Sequence, residues 1–251
     1  MILINAAAGP LLDVAGKVLT RTDLPDAALI GGLAVTIRVA AHNNSYRATG
    51  DVDIVTGDDT PTLVEILTRD HDSPERVVID DIKVDVIATA TVTDQDLDGI
   101  DDGPRLFVAS HRWALDTAAN VTVATTPSLD DAQMIRVATP AALVAAKSHA
   151  VGFARSQRRS TKHGSDLFDV YRLIDTHGPD EIAATLHTAP GQLAPVIAGV
   201  IRATFLTRPG KVAALMTPVN TPLIDADYVV ALMDAFVRAL DPEVVCSDGF
   251  S

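Results

Sequence analysis

A change of hydrophobic period at Gly31-Gly32 constrains this chain more than any other feature. Ala27 to Ile30 is a short apolar run, and from Leu33 to Ala40 the apolar residues recur at helical spacing. A strand that turns within two residues into an amphipathic helix must bury its faces in a layered packing of sheet and helix. That argues against a helical bundle or a β-sandwich. The flanking sequence agrees: Leu11 to Leu19 reads as an amphipathic helix, and Asp51 to Val55 alternates acidic and apolar residues at the period of a half-exposed strand. Thr60-Pro61 is a helix start, running through Leu67.

The rest of the first half reads as extended. Arg76 to Ile79 and Ile82 to Ile87 flank Asp80-Asp81, the spacing of a tight hairpin. Asp94 to Gly103 reads as an acidic loop, and Leu106 to Ala109, Val121 to Ala124 and Met134 to Val137 as short strands. Asp94 to Gly99 begins like an EF-hand calcium loop, but Arg105 stands where the bidentate Glu belongs. From Thr139-Pro140, a good N-cap and first-turn pair, the pattern becomes helical. Leu143 to Arg155, Ser165 to Thr176, Ile182 to His187, Leu193 to Leu206 and Ile224 to Leu240 are the expected helices, separated by loops such as Pro209-Gly210. The expected organisation is α+β. Residues 1–138 form a mixed sheet with helices, and 139–251 a helical domain.

The 251 residues are 47% hydrophobic, enough for an ordinary core, and no apolar run reaches the roughly 18 residues of a membrane span. With no signal-peptide pattern at the start and a lone Cys246, a cytoplasmic, disulfide-free protein is expected, without a membrane partner. The histidines show no zinc spacing. The net charge of −13 argues against a surface that generally coats nucleic acid or membrane, so an anionic substrate has to be met locally. The acidic count is 29 Asp against 4 Glu, and the basic count 15 Arg against 5 Lys. An Asp therefore carries little information here, and a Lys more.

Asp51 and Asp53 lie two apart in a strand, so both carboxylates leave one face while Val52 and Ile54 anchor the other. Asp85 occupies the same kind of position in Lys83-Val84-Asp85-Val86-Ile87, a strand that can lie alongside. Three same-facing carboxylates repel one another and favour one or two hard divalent cations, most naturally Mg²⁺. Two such ions suit phosphoryl-type transfer. Gly31 and Gly32, without Cβ atoms at the start of a helix, let backbone N–H groups approach a triphosphate.

The Gly-Gly turn, Asp-x-Asp and a later strand Asp together resemble the nucleotidyltransferase superfamily related to DNA polymerase β. The run Leu29 to Val35 followed by Tyr46-Arg47-Ala48-Thr49-Gly50-Asp51-Val52-Asp53-Ile54 is similar to the AbiE-type (AbiEii/MenT-like) nucleotidyltransferase toxins. The resemblance implies that Gly31 and Gly32 hold the phosphates, that Asp51, Asp53 and Asp85 bind two Mg²⁺, and that Arg47 positions phosphate or braces Asp53. It extends into the helical half, where Lys147 follows Thr139-Pro140 and Asp166 and Asp169 follow Lys162.

Lys147 shares a helical stripe with Leu143 and Ala150, a costly place for an ammonium unless it meets polar groups; it is the candidate to neutralise the triphosphate. Asp166 and Asp169 are neighbours on one helix face, one to act as base or to orient the incoming hydroxyl, the other to pair with Arg155 or Arg172. Asp166 is placed first in the catalytic role. Arg155, Arg158, Arg159 and Lys162, with His163, form the dense basic cluster of an acidic chain and are the candidates for RNA phosphates, though no aromatic residue interleaves them for base stacking.

The resemblance implies transfer of a nucleoside monophosphate from an NTP to an RNA acceptor such as a tRNA 3′ end, and a cognate antitoxin, as in a type IV-like toxin–antitoxin system. Two alternatives stay open. The acidic surface also suits a cationic, aminoglycoside-type acceptor, and a non-catalytic nucleotide-binding regulator would keep the same fold.

Overall fold

The computed structural model describes residues 1–20, 26–40, 49–57, 76–153, 160–217 and 224–241. Two compact units emerge, one of Met1–Val92 with His111–Leu143 and one of Thr93–Ser110 with Val144–Ser251.

The first unit is built on strands β1 (Ile2–Leu3), β2 (Ala27–Ile30), β3 (Asp51–Thr56), β4 (Arg76–Ile79), β5 (Ile82–Ala88), β6 (Ala119–Ala124) and β7 (Gln133–Val137). They form a mixed sheet in the order β1-β6-β7-β2-β3-β5-β4. Strand β2 is central. It pairs antiparallel with β3 and parallel with β7, and Ala28, Leu29 and Ile30 are buried, so this short run reads as uninterrupted apolar sequence. Helix α1 (Gly9–Leu19) buries Leu11, Leu12, Val14, Ala15 and Val18 along one stripe and packs on β7, β2 and β3. Helix α2 (Gly31–Ala40) starts directly at the end of β2 and packs on β3 and β2.

The β4–β5 hairpin turns through Asp80 and Asp81 with φ of 50° and 64°, the left-handed pair that matches a two-residue turn to strand twist. Asp tolerates this region better than most residues do. The helix expected at Thr60 to Leu67 lies outside the described residues.

The second unit is helical. It contains α3 (Asp94–Leu97), α4 (Asp102–Asp116) as far as Ser110, and α5 (Pro140–Gly152) from Val144 onward. After these come α6 (Ser160–His177), α7 (Pro179–Leu186), α8 (Leu193–Ile201), α9 (Pro209–Met216) and α10 (Ala226–Leu240). Its core includes Leu167, Val170, Leu173, Ile197, Phe205, Met216, Met233 and Phe236. Helix α10 packs on α7, α8 and α9, and α9 on α6. The expected mixed sheet with a largely helical second half is what the chain forms. Among the described residues, no helix is long and apolar enough to cross a membrane.

Four local expectations need correction. Leu106 to Ala109 is helical, inside α4, because the buried positions Leu106, Ala109, Ser110, Trp113 and Ala114 keep the i, i+3, i+4, i+7, i+8 spacing of a helix. The four-residue apolar run looks extended only when read alone. Asp94 to Gly103 is not loop throughout: Thr93 and Asp96 form a capping box for the single-turn α3, Leu97 is buried, and the Gly191 N–H donates to Asp94 Oδ1 at 2.7 Å. Pro209-Gly210 opens α9 instead of separating helices, since a proline in the first turn sacrifices no intrahelical bond. The segment expected as one helix from Leu193 to Leu206 changes to a π-helical turn over Arg202–Leu206.

Candidate functional site

Strands β3 and β5 run parallel in a register that sets Asp53 opposite Asp85 and Asp51 opposite Lys83. Alternation does the rest. Val52, Ile54, Val84 and Val86 are buried on one face, which turns Asp51, Asp53 and Asp85 to the other, where each is half-buried. One oxygen from each of the three lies within 4.8 Å of the others. Two unit negative charges at such a separation repel by about 3 kcal/mol at an effective dielectric of about 20, before any partner is counted. A hard dication reverses the sign of that term, and an all-oxygen donor set is what Mg²⁺ or Ca²⁺ takes. Thr49 Oγ1 donates to Asp51 Oδ1 at 3.1 Å and fixes one carboxylate at the start of β3.

Gly31 stands against this cluster. The β2–β3 pairing sets Ile30 opposite Asp53, so the next residue turns over the Asp53 side chain. Gly31 has φ +68°, and a Cβ there would lie 1.8 Å from Asp53 Oδ2 and 2.7 Å from Asp53 Cβ. Glycine is therefore required twice, for its backbone conformation and for the space that Asp53 fills. Gly32 is buried in the first turn of α2, its carbonyl accepting from Thr36 Oγ1 at 3.0 Å. Farther along α2, Arg38 donates from Nε to the Ala138 carbonyl at 2.8 Å and from Nη2 to that of Val137 at 2.5 Å, tying the helix to the end of β7. Burial lowers the pKa of its guanidinium. The strand, the glycine turn and the anchored helix together hold the α2 N-terminus, with its orphan N–H groups, next to three carboxylates.

The second unit holds a different ionic cluster. Lys147 Nζ on α5 lies 2.8 Å from Asp166 Oδ1 and 2.9 Å from Asp169 Oδ2 of α6. Arg172 Nη2 lies 3.1 Å from Asp169 Oδ1, and its guanidinium carbon 5.5 Å from the centre of the Phe168 ring. All four ionic side chains are buried: Lys147 is 8% exposed, Asp166 1%, Asp169 0% and Arg172 2%. Two cations and two anions balance, which is the condition for burying any of them. The ammonium expected on the apolar stripe of α5 thus meets carboxylates from the neighbouring helix. Asp169 is a partner of Arg172.

The structure brings together Gly31, Gly32, Asp51, Asp53 and Asp85 in one unit, and Lys147, Asp166 and Asp169 in the other. Of the remaining expected residues, Lys162 is exposed on α6, whereas Arg47, Arg155, Arg158 and Arg159 lie outside the described residues. Sequence reasoning passed over Thr49 and Lys83. Lys83 shares the exposed face of β5 with Asp85 by the two-residue alternation, and that alternation was the signal that could have found it.

Residues 17–242 match the family described as nucleotidyl transferase AbiEii toxin, type IV TA system. No protein with a curated description matches the chain. Among solved structures, an antigenic nucleotidyltransferase-like protein from Paracoccidioides brasiliensis is similar, with 17% identity and a TM-score of 0.48 over 88% of this chain and 100% of that one.

Proposed function

The chain belongs to the AbiEii nucleotidyltransferase toxin family of type IV toxin–antitoxin systems, and from that premise we propose that it transfers a nucleoside monophosphate from an NTP to an acceptor hydroxyl. The observation that carries this reading is the group of three carboxylate oxygens within 4.8 Å on one sheet face beside Gly31. Asp51, Asp53 and Asp85 would hold two Mg²⁺, which when bound would neutralise the triphosphate and lower the barrier at phosphorus.

The chain's own residues have separable tasks. Gly31 and Gly32 cradle the phosphate chain through the backbone N–H groups at the start of α2, which donate to it. Asp85 accepts the proton of the acceptor hydroxyl as its oxygen bonds to the α-phosphorus and the bond to pyrophosphate breaks. Lys147 serves the same transfer by neutralising phosphate charge, with Asp166 and Asp169 holding its ammonium in place. Asp166 is the carboxylate that orients the acceptor, and Arg47 steadies a phosphate.

The acceptor we propose is RNA, with a tRNA 3′ end as the first candidate and with Arg155, Arg158, Arg159 and Lys162 as its phosphate contacts; a cognate antitoxin is the expected protein partner. The net charge of −13 favours one second reading, a cationic small-molecule acceptor.

Purified protein and its Asp53→Ala variant, incubated with Mg²⁺, each α-labelled NTP and total RNA, test the proposal. Label entering RNA only with the unsubstituted protein is the expected result, and the labelled base names the nucleotide. Label entering a panel of aminoglycosides but not RNA selects the second reading. Equal labelling by the Asp53→Ala variant would sink the assignment of the carboxylates.

A further inference from the structure

We propose that a cavity in the second unit is a separate binding site for a phosphate ester of nucleotide size. The cavity measures about 440 Å³ and lies among α6, the π-helical turn at Arg202–Leu206 and α9. Arg208 and Lys211 supply its charge, His163 an imidazole, and Thr204 and Thr207 supply hydroxyls. In a chain with 33 acidic and 20 basic residues, none of the lining residues among those described is acidic.

Charge placement is the stronger argument. Lys17, Arg105, Arg112, Arg136, Arg202 and Arg238 each pair with an aspartate. Arg208 and Lys211 have no carboxylate partner among the described residues. They also stand at the N-cap and in the first turn of α9, with no acidic residue in that turn. The positive end of a helix favours anions, so two cations placed there are held against the helix dipole. An oxyanion bound between them and the helix end turns that unfavourable arrangement into a favourable one.

The shape narrows the ligand. A lone oxyanion is far smaller than this cavity, whose volume falls in the range of about 300–1,000 Å³ typical of small-molecule sites. Leu167, Val212 and Leu215 line the remainder and suit an uncharged body attached to the phosphate. The π-helical turn is the device that shapes this wall: it carries Thr204, 6% exposed, and π turns concentrate at functional sites. A free nucleoside monophosphate and the 5′-terminal nucleotide of an RNA share the required chemistry. The site contains none of the three strand carboxylates, so its occupancy does not depend on the transfer reaction.

The test is calorimetric titration of the full chain in EDTA, with AMP against adenosine and with a short 5′-phosphorylated RNA against its 5′-hydroxyl counterpart. At least one phosphorylated probe is expected to bind tenfold or more tightly than its counterpart. That preference should disappear in the Arg208→Gln/Lys211→Gln variant and persist in Asp53→Ala. Arg208 and Lys211 are exposed, and an unchanged circular dichroism spectrum would establish that the double variant folds. Preference within the AMP pair alone identifies a free nucleotide, and preference within the RNA pair identifies a strand terminus. No preference in either pair, or a preference the double variant retains, overturns the proposal.

Discussion

At residue scale the arrangement depends on close contacts that leave little freedom of choice. Gly31→Ala places a methyl group inside the Asp53 side chain and a non-glycine residue at φ +68°. It is expected to lose about 1–3 kcal/mol of stability through backbone strain, read as a shift in the denaturation midpoint. Transfer should fall roughly a hundredfold or more, a loss of about 2.7 kcal/mol of barrier lowering, because Asp53 is displaced. An alanine variant with unaltered transfer would show that this glycine has no part in the site. The buried tetrad gives a different signature. Lys147→Met removes the ammonium that the buried Asp166 and Asp169 share, and should cost about 3–5 kcal/mol. Adding Asp166→Leu to Lys147→Met should restore part of that loss, measured by urea denaturation as a double-mutant cycle. Additive losses would contradict the pairing. Asp51 and Asp53 were readable as one face because chain chirality forces strand alternation, whereas the pairing of Asp53 with Asp85 depends on β3–β5 register, which no local pattern encodes.

At element scale, α6 and α10 are joined by side chains whose ionisation affects stability. Tyr228 donates to Asp175 Oδ1 at 2.5 Å, and Tyr171 meets Tyr228 ring edge to face at 6.4 Å between centres. Burial, with Asp175, Tyr228 and Asp225 adding negative charge nearby, pushes the Tyr171 phenol from 10.0 up to about 12. A raised pKa means the folded state holds the neutral phenol more firmly. That contribution is complete below about pH 10, the unfolded value, and is lost as pH rises toward 12. Thermal melts from pH 9 to 12 should therefore fall less steeply for Tyr171→Phe than for the unsubstituted protein; parallel curves would remove Tyr171 from the account. The elements that resisted sequence reading have one cause in common. Leu106 to Ala109 and Pro209-Gly210 are too short to show a period, and the burial pattern of the whole helix, supplied by its neighbours, decides what they become.

At the scale of the whole molecule, charge separates the two acceptor classes. The chain carries −13, and surface fields decay over about 10 Å at 0.1 M salt. With an RNA acceptor held by Arg155, Arg158, Arg159 and Lys162, raising salt from about 20 to 150 mM should raise the acceptor KM, and Arg158→Gln/Arg159→Gln should flatten that rise. With an aminoglycoside-type acceptor the KM should also rise as screening removes an attraction, and the double variant should leave that rise unchanged. Steady-state kinetics of both proteins at the two ionic strengths distinguishes them.

The sequence alone determined the Gly31-Gly32 strand-to-helix turn, the shared face of Asp51 and Asp53, and the change from sheet to helices. These follow from local chirality, glycine's missing Cβ and hydrophobic period, all of which act over a few residues. Tertiary structure decided that Asp85 completes the cluster, that Lys147 is held by two aspartates, and that Arg208 and Lys211 line one cavity. Those outcomes depend on register, on packing between distant helices and on which charges desolvation brings together, interactions between residues far apart in the chain.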